Sequence, residues 1–135
     1  MTIIYVDTNI FIDAVTGRAN KYGKDLSTPA GKMFYDAMSC KYNIAISTWT
    51  LQELYRTVDS TEVTMLFNMI KKKIITVEHT DEDIEEAKKL NSEHFQDALH
   101  GLLAVKAEAE CVVTRNLSDF ACVSHLIQAK LPEQL

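Results

Sequence analysis

The chain has 135 residues, 47% of them apolar and 24% charged, with a net charge of −5. Those values exclude a disordered or fibrous chain and predict one globular domain over residues 1–135, large enough to bury a core without disulfides or a structural metal. No apolar run approaches the roughly 18 residues of a membrane span, and the opening Met-Thr-Ile-Ile-Tyr-Val-Asp lacks a secretory signal's basic flank, so a cytoplasmic protein with no membrane partner is expected.

The acidic balance is local. Glu78 to Glu93 holds seven acids against Lys88 and Lys89, a net of −5, while the other residues carry twelve acids and twelve bases. A basic face for a polyanion is therefore compatible with the composition. Cys40, Cys111 and Cys122 are odd in number and widely spaced, which predicts small buried side chains rather than disulfides or zinc ligands.

In chain order, Thr2 to Val6 is a short β-branched run that stops at Asp7 and reads as a buried parallel strand. Asp7-Thr8-Asn9 is a turn or cap, Phe11 to Val15 one or two helical turns ending near Gly17, and Arg18 to Leu26 a polar loop. Ser27-Thr28-Pro29 opens a helix to about Ser39. Asn43 to Ser47 is the second strand, with Thr48 or Thr50 capping a helix through Val58. Asp59-Ser60-Thr61-Glu62 resembles a capping box, after which Met65, Leu66, Met69 and Ile70 repeat at helical spacing and are assigned to the core. Ile74 to Val77 is the third strand, Thr80 to Asp83 opens an acidic helix to about Leu90, a buried helix follows from Ala98 to about Ala109, and Glu110 to Thr114 is the fourth strand.

Short apolar strands separated by helices predict an α/β fold: a mostly parallel sheet of four or five strands flanked by helices in three layers. In such sheets ligands gather outside the carboxyl ends of the strands. Asp7 follows strand one, Glu53 lies in the first turns after strand two, and Asn116 and Asp119 follow strand four. Asp97 precedes a helix that returns antiparallel to strand four, so it reaches the same edge. Each acid alone has a structural role available as a helix cap or solvated side chain; together they are expected to repel one another unless a hard divalent cation joins them. Carboxylate oxygens suit Mg²⁺ or Mn²⁺, and such a centre serves phosphoryl chemistry, with water activated for in-line attack on a phosphodiester.

The segments Ile-Ile-Tyr-Val-Asp7-Thr8-Asn9-Ile-Phe-Ile-Asp13, Ile-Ser47-Thr-Trp-Thr-Leu-Gln-Glu53-Leu, Phe-Gln-Asp97-Ala-Leu-His-Gly-Leu-Leu-Ala and Val-Val-Thr114-Arg-Asn116-Leu-Ser-Asp119-Phe120 occur in an order that resembles a PIN domain across almost the whole chain. The resemblance implies a PIN-like three-layer fold and a Mg²⁺- or Mn²⁺-dependent endoribonuclease, with Asp7, Glu53, Asp97 and Asp119 as catalytic, metal-holding acids. It further implies Thr8, Thr114 and Asn116 as polar residues near the site, and a chain similar to VapC-type toxins, which act on RNA, form homodimers and are held by a cognate antitoxin. Asn116 stands where some relatives carry an acid.

Arg56, one turn from Glu53, and Arg115, between strand four and Asp119, are the expected phosphate contacts, with Arg18, Lys21 and Lys24 beside them. Lys71-Lys72-Lys73 reads as a solvated helix end, Trp49 as core or interface rather than a base-stacking platform, and His100 as packed or solvated rather than a metal or phosphate contact. Gly101 permits a close approach by backbone or substrate. Three alternatives stand beside the toxin: a housekeeping RNA-processing nuclease of the same family, an inactive PIN-like module that binds RNA or protein, and an aspartyl-phosphate phosphatase. The last is disfavoured by Asn9 and by the lack of an evident lysine partner.

Overall fold

A computed structural model describes residues 2–17, 25 and 27–135; the expected loop from Arg18 to Leu26 falls almost wholly outside them. Five strands, β1 (Ile3–Val6), β2 (Asn43–Ser47), β3 (Ile74–Val77), β4 (Cys111–Val113) and β5 (Gln128–Lys130), form one sheet in the order β3-β2-β1-β4-β5. Every pairing is parallel. The fifth strand lies in the tail, where Gln-Ala-Lys carries no apolar run to announce it.

Alternation along the strands builds two cores. Ile4, Val6, Ile44, Ile46, Cys111 and Val113 face one side, where α1 (Thr8–Thr16), α2 (Ser27–Met38), α3 (Thr48–Thr57) and α4 (Ser60–Ile70) supply Ile10, Phe11, Met33, Phe34, Leu54, Val63 and Ile70. Tyr5, Ala45 and Val112 face the other, beneath α5 (Asp81–Leu90) and α6 (Phe95–Lys106). Helices on both faces of a parallel sheet give three layers. Among the described residues no helix is long and apolar enough to cross a membrane.

Local chemistry sets the boundaries. Gly17, with φ of 64°, ends α1 in the left-handed conformation that glycine adopts without a Cβ penalty. Ser47, rather than Thr48 or Thr50, caps α3 by accepting from the Thr50 N–H. Thr80 and Asp83 form a full capping box on α5, while on α4 Asp59 alone accepts from Thr61. α6 begins at Phe95, earlier than the sequence predicts, so Asp97 lies within its first turn, where the helix dipole favours a carboxylate.

Two sequence expectations fail. Met65 and Met69 are 62% and 63% exposed and are not core. The buried stripe of α4 runs through Val63 and Ile70, with Leu66 and Phe67 packed beside it; Met65 and Met69, four residues apart, share the opposite face. Of the cysteines, all free, only Cys111 is buried, and Cys40 is exposed at a positive φ just beyond the end of α2.

Candidate active site

Because all strands run the same way, β1, β2 and β4 deliver their following residues to one edge. The register pairs Val6 with Val113, so Asp7 and Thr114 are the next residues on neighbouring strands, and Thr114 Oγ1 donates to Asp7 Oδ2 at 2.9 Å. Thr114 Oγ1 also accepts from the Asn116 N–H at 3.0 Å, which turns the chain directly after β4. Asp7 occupies the N-cap position of α1 but makes no capping hydrogen bond; its carboxylate is turned to this edge instead.

Thr8, the first residue of α1, donates to Glu53 Oε1 at 2.7 Å across the α1–α3 contact. His100 Nε2 meets the same oxygen at 2.7 Å and stands 3.8 Å from Asp7 Oδ1. His100 is thus neither merely packed nor solvated: it lies buried between two of the predicted acids. The sequence held two signals for it. It is three residues after Asp97 on the same helix, and Tyr5 puts a hydroxyl into an otherwise aliphatic strand, where a buried phenol needs a partner. That partner is His100 Nδ1, 2.7 Å from the Tyr5 hydroxyl.

The acids respond to one another. Asp97 is pushed up to about 6, first by burial and then by repulsion from Asp7 and Asp119, with Glu53 adding to it and His100 opposing. Asp7 is also raised, chiefly by burial, although His100 and Thr114 stabilise its charge. At Glu53 burial acts upward, but the His100 bond and charge, Thr8 and Arg56 outweigh it and hold the carboxyl below its usual range. Burial would lower His100, yet Tyr5, Glu53 and Asp7 hold it well above the ordinary imidazole value. All four predicted acids therefore act on one shared field.

The acids are not already assembled as ligands. Among the described residues, no three His, Cys, Asp or Glu side chains stand grouped at metal-ligating spacing. The donor chemistry nevertheless fits a hard dication. Thr114 and Thr8 each tie down one carboxylate oxygen, of Asp7 and Glu53 respectively, and no hydrogen bond falls on Glu53 Oε2 among the described residues. Excess negative charge and available oxygens are what Mg²⁺ or Mn²⁺ requires.

The remaining candidates divide. Arg56 is exposed and close enough to act on the Glu53 charge. Asn116 and Asp119 are exposed at the rim, Asp119 on a 3₁₀ turn over Leu117–Val123. Arg115 is turned away from solvent: only 12% of its side chain is exposed, both terminal nitrogens pair with Glu133 at 2.5–2.6 Å, and Asp13 lies 3.9 Å from its Nε. Gly101 does permit a close approach, but by protein: a Cβ there would meet Val123 Cγ2 at 2.6 Å. This packs the turn bearing Asp119 against the helix bearing Asp97. Trp49 is half-buried, edge-on to His79 and Phe95.

Comparison with known proteins agrees with this architecture. The PIN domain family matches residues 4–118, and the chain belongs to that family. Among solved structures, the fold is similar to the crystal structure of Mycobacterium tuberculosis VapC20, described as a sarcin-ricin loop cleaving toxin. The two share 19% identity at a TM-score of 0.56, over 81% of this chain and 86% of that one. No curated protein matches significantly.

Proposed function

We propose that this PIN domain is a Mg²⁺- or Mn²⁺-dependent endoribonuclease that hydrolyses RNA phosphodiester bonds, acting as the toxin of a type II toxin–antitoxin pair. The observation that carries the reading is the clustering of Asp7 and Glu53 on His100, the one buried cation-forming side chain among the described residues, with Asp97 repelled by Asp7, Asp119 and Glu53 beside them. Four mutually coupled carboxylates with one histidine among them leave a surplus of negative charge that favours a bound cation.

Asp7, Glu53, Asp97 and Asp119 would hold the ion. The chemistry such an ion supplies when bound is polarisation of a phosphate oxygen and acidification of water for in-line attack. The chain's own residues set the geometry around it. Thr114 and Thr8 fix one oxygen each of Asp7 and Glu53. Arg56 and Asn116, both exposed, would meet backbone phosphates; Arg115, committed to Glu133, is not assigned to substrate. Asp97, with its pKa near 6, gives up its proton readily once positive charge arrives.

A cognate antitoxin and a homodimer are part of this reading through the resemblance of the sequence to VapC-type toxins. The exposed Tyr55, Met65 and Met69 offer apolar surface for a second chain. The test is cleavage of RNA by purified protein with Mn²⁺ and with EDTA. Asp7→Asn, folded by circular dichroism, should lose at least about 100-fold in rate, as expected when one charge is taken from a centre that stabilises a transition state. Full activity in Asp7→Asn, or in EDTA, refutes the assignment.

A further inference from the structure

We infer that Tyr5 and His100 are positioning residues for Glu53: a buried chain of hydroxyls and imidazole fixes one oxygen of that carboxylate so that the other is presented to the cation. The inference rests on the reading of the four acids as a cation centre, and it adds two residues outside the acidic and polar set expected there.

Glu53 has a long side chain on a helix, half-buried, and its backbone alone does not orient its carboxylate. Two donors converge on Oε1, Thr8 Oγ1 and His100 Nε2, both at 2.7 Å. An ionised carboxylate only accepts, so Nε2 must carry the proton. This holds whether the ring is neutral or charged, and the arrangement does not depend on its titration. The ring is held from behind by the Tyr5 hydroxyl, 2.7 Å from Nδ1, and that hydroxyl lies 2.8 Å from Ser47 Oγ and 3.3 Å from Thr50 Oγ1. Ser47 Oγ is itself fixed as the cap of α3, the helix that bears Glu53. The chain of bonds therefore closes on itself: β1, β2, α3 and α6 each contribute a group to the orientation of one carboxylate.

Burial makes the arrangement specific. Tyr5, Ser47 and Thr50 have no exposure and His100 almost none. A buried polar chain is costly unless its members are satisfied, and here each has a partner. A phenylalanine and a leucine would fill the same interior without that requirement. What the polar pair adds is direction at Glu53, comparable to the outer hydrogen bonds that orient carboxylates around bound metals, whose loss costs about 10- to 100-fold in metal affinity.

The experiment is calorimetric titration of Mn²⁺ into wild type, Glu53→Gln, His100→Leu, His100→Gln and Tyr5→Phe, with thermal melts in EDTA and RNA cleavage at low and high Mn²⁺. Wild type should bind Mn²⁺ and Glu53→Gln should not. His100→Leu should bind about 10- to 100-fold more weakly, and Tyr5→Phe should weaken binding in the same direction by less. His100→Gln, whose amide N–H reaches the Nε2 position, should recover most of the affinity. Activity lost in His100→Leu at low Mn²⁺ should return at high Mn²⁺ with KM for RNA unchanged. If His100→Leu is unfolded in EDTA, Tyr5→Phe and His100→Gln decide. Wild-type affinity in His100→Leu and Tyr5→Phe, with Glu53→Gln silent, overturns the positioning role and leaves the cation centre standing. Equal Mn²⁺ uptake by wild type and Glu53→Gln overturns the cation centre and this inference with it.

Discussion

Asp97→Asn should make the ion-free protein more stable while making it inactive. The substitution keeps shape and removes a charge that burial disfavours first and that Asp7, Asp119 and Glu53 repel besides. Lifting a carboxyl from 3.8 to about 6 corresponds to about 3 kcal/mol at full strength. Solvent at this half-buried position screens that to about 1 kcal/mol. The sign follows from proton counting: between 3.8 and about 6 the folded chain keeps a proton that the unfolded chain has released, so this group's contribution falls as pH rises through that window. The penalty is fully present above about 6 and absent below the unfolded value. In EDTA at neutral pH, Asp97→Asn should therefore melt about 3 to 5 °C above wild type, the gap closing as the pH is taken below about 4. Saturating Mn²⁺ should reverse the order, since an ion at about 100 times its Kd adds about 2.7 kcal/mol to the wild type alone. The assay is differential scanning fluorimetry across pH, with and without Mn²⁺, beside RNA cleavage. A variant that melts below wild type in EDTA at neutral pH, or that gains as much from Mn²⁺, would refute the reasoning.

Two further substitutions probe the supports of the site. Thr114→Val keeps volume but removes the hydroxyl between Asp7 Oδ2 and the Asn116 N–H; it should cost about 1 to 3 kcal/mol in urea denaturation and about 10- to 100-fold in cleavage, and an unchanged urea midpoint would count against the bridge. Gly101→Ala drives a methyl into Val123, and the overpacking of about 1 to 3 kcal/mol should exceed the helix propensity gained, about 1 kcal/mol. Adding Val123→Ala should restore much of the loss, and no recovery in the double variant would mean that the strain lies elsewhere.

Strands β1 to β4 were legible because each is an apolar run that ends at a polar residue, and parallel order sends those ends to one edge, whereas β5 carries no such run. Asp7 and Thr114 are 107 positions apart, yet each is marked by the strand it follows. Side-chain commitments were less visible. Arg115 stands in the right place along the chain, but its partner Glu133 lies in a tail with no periodic signal. Met65 and Met69 belong to a helix with apolar residues on both stripes, so spacing alone could not tell which face turns inward. His100 was read too plainly because its two signals, the Asp97 spacing and the Tyr5 hydroxyl in an aliphatic strand, lie on separate elements whose pairing only the fold supplies.

The strand order carries a consequence for synthesis. β1 has β2 beside it early, but its other neighbour, β4, emerges from the ribosome only after more than a hundred residues have been translated. Until then the central strand has a bare flank, open to pairing with other nascent chains. The same stretch brings Thr114 and Asp119, so a polypeptide released before it is complete carries three of the four acids, lacks the hydroxyl that holds Asp7, and has a sticky edge prone to aggregate.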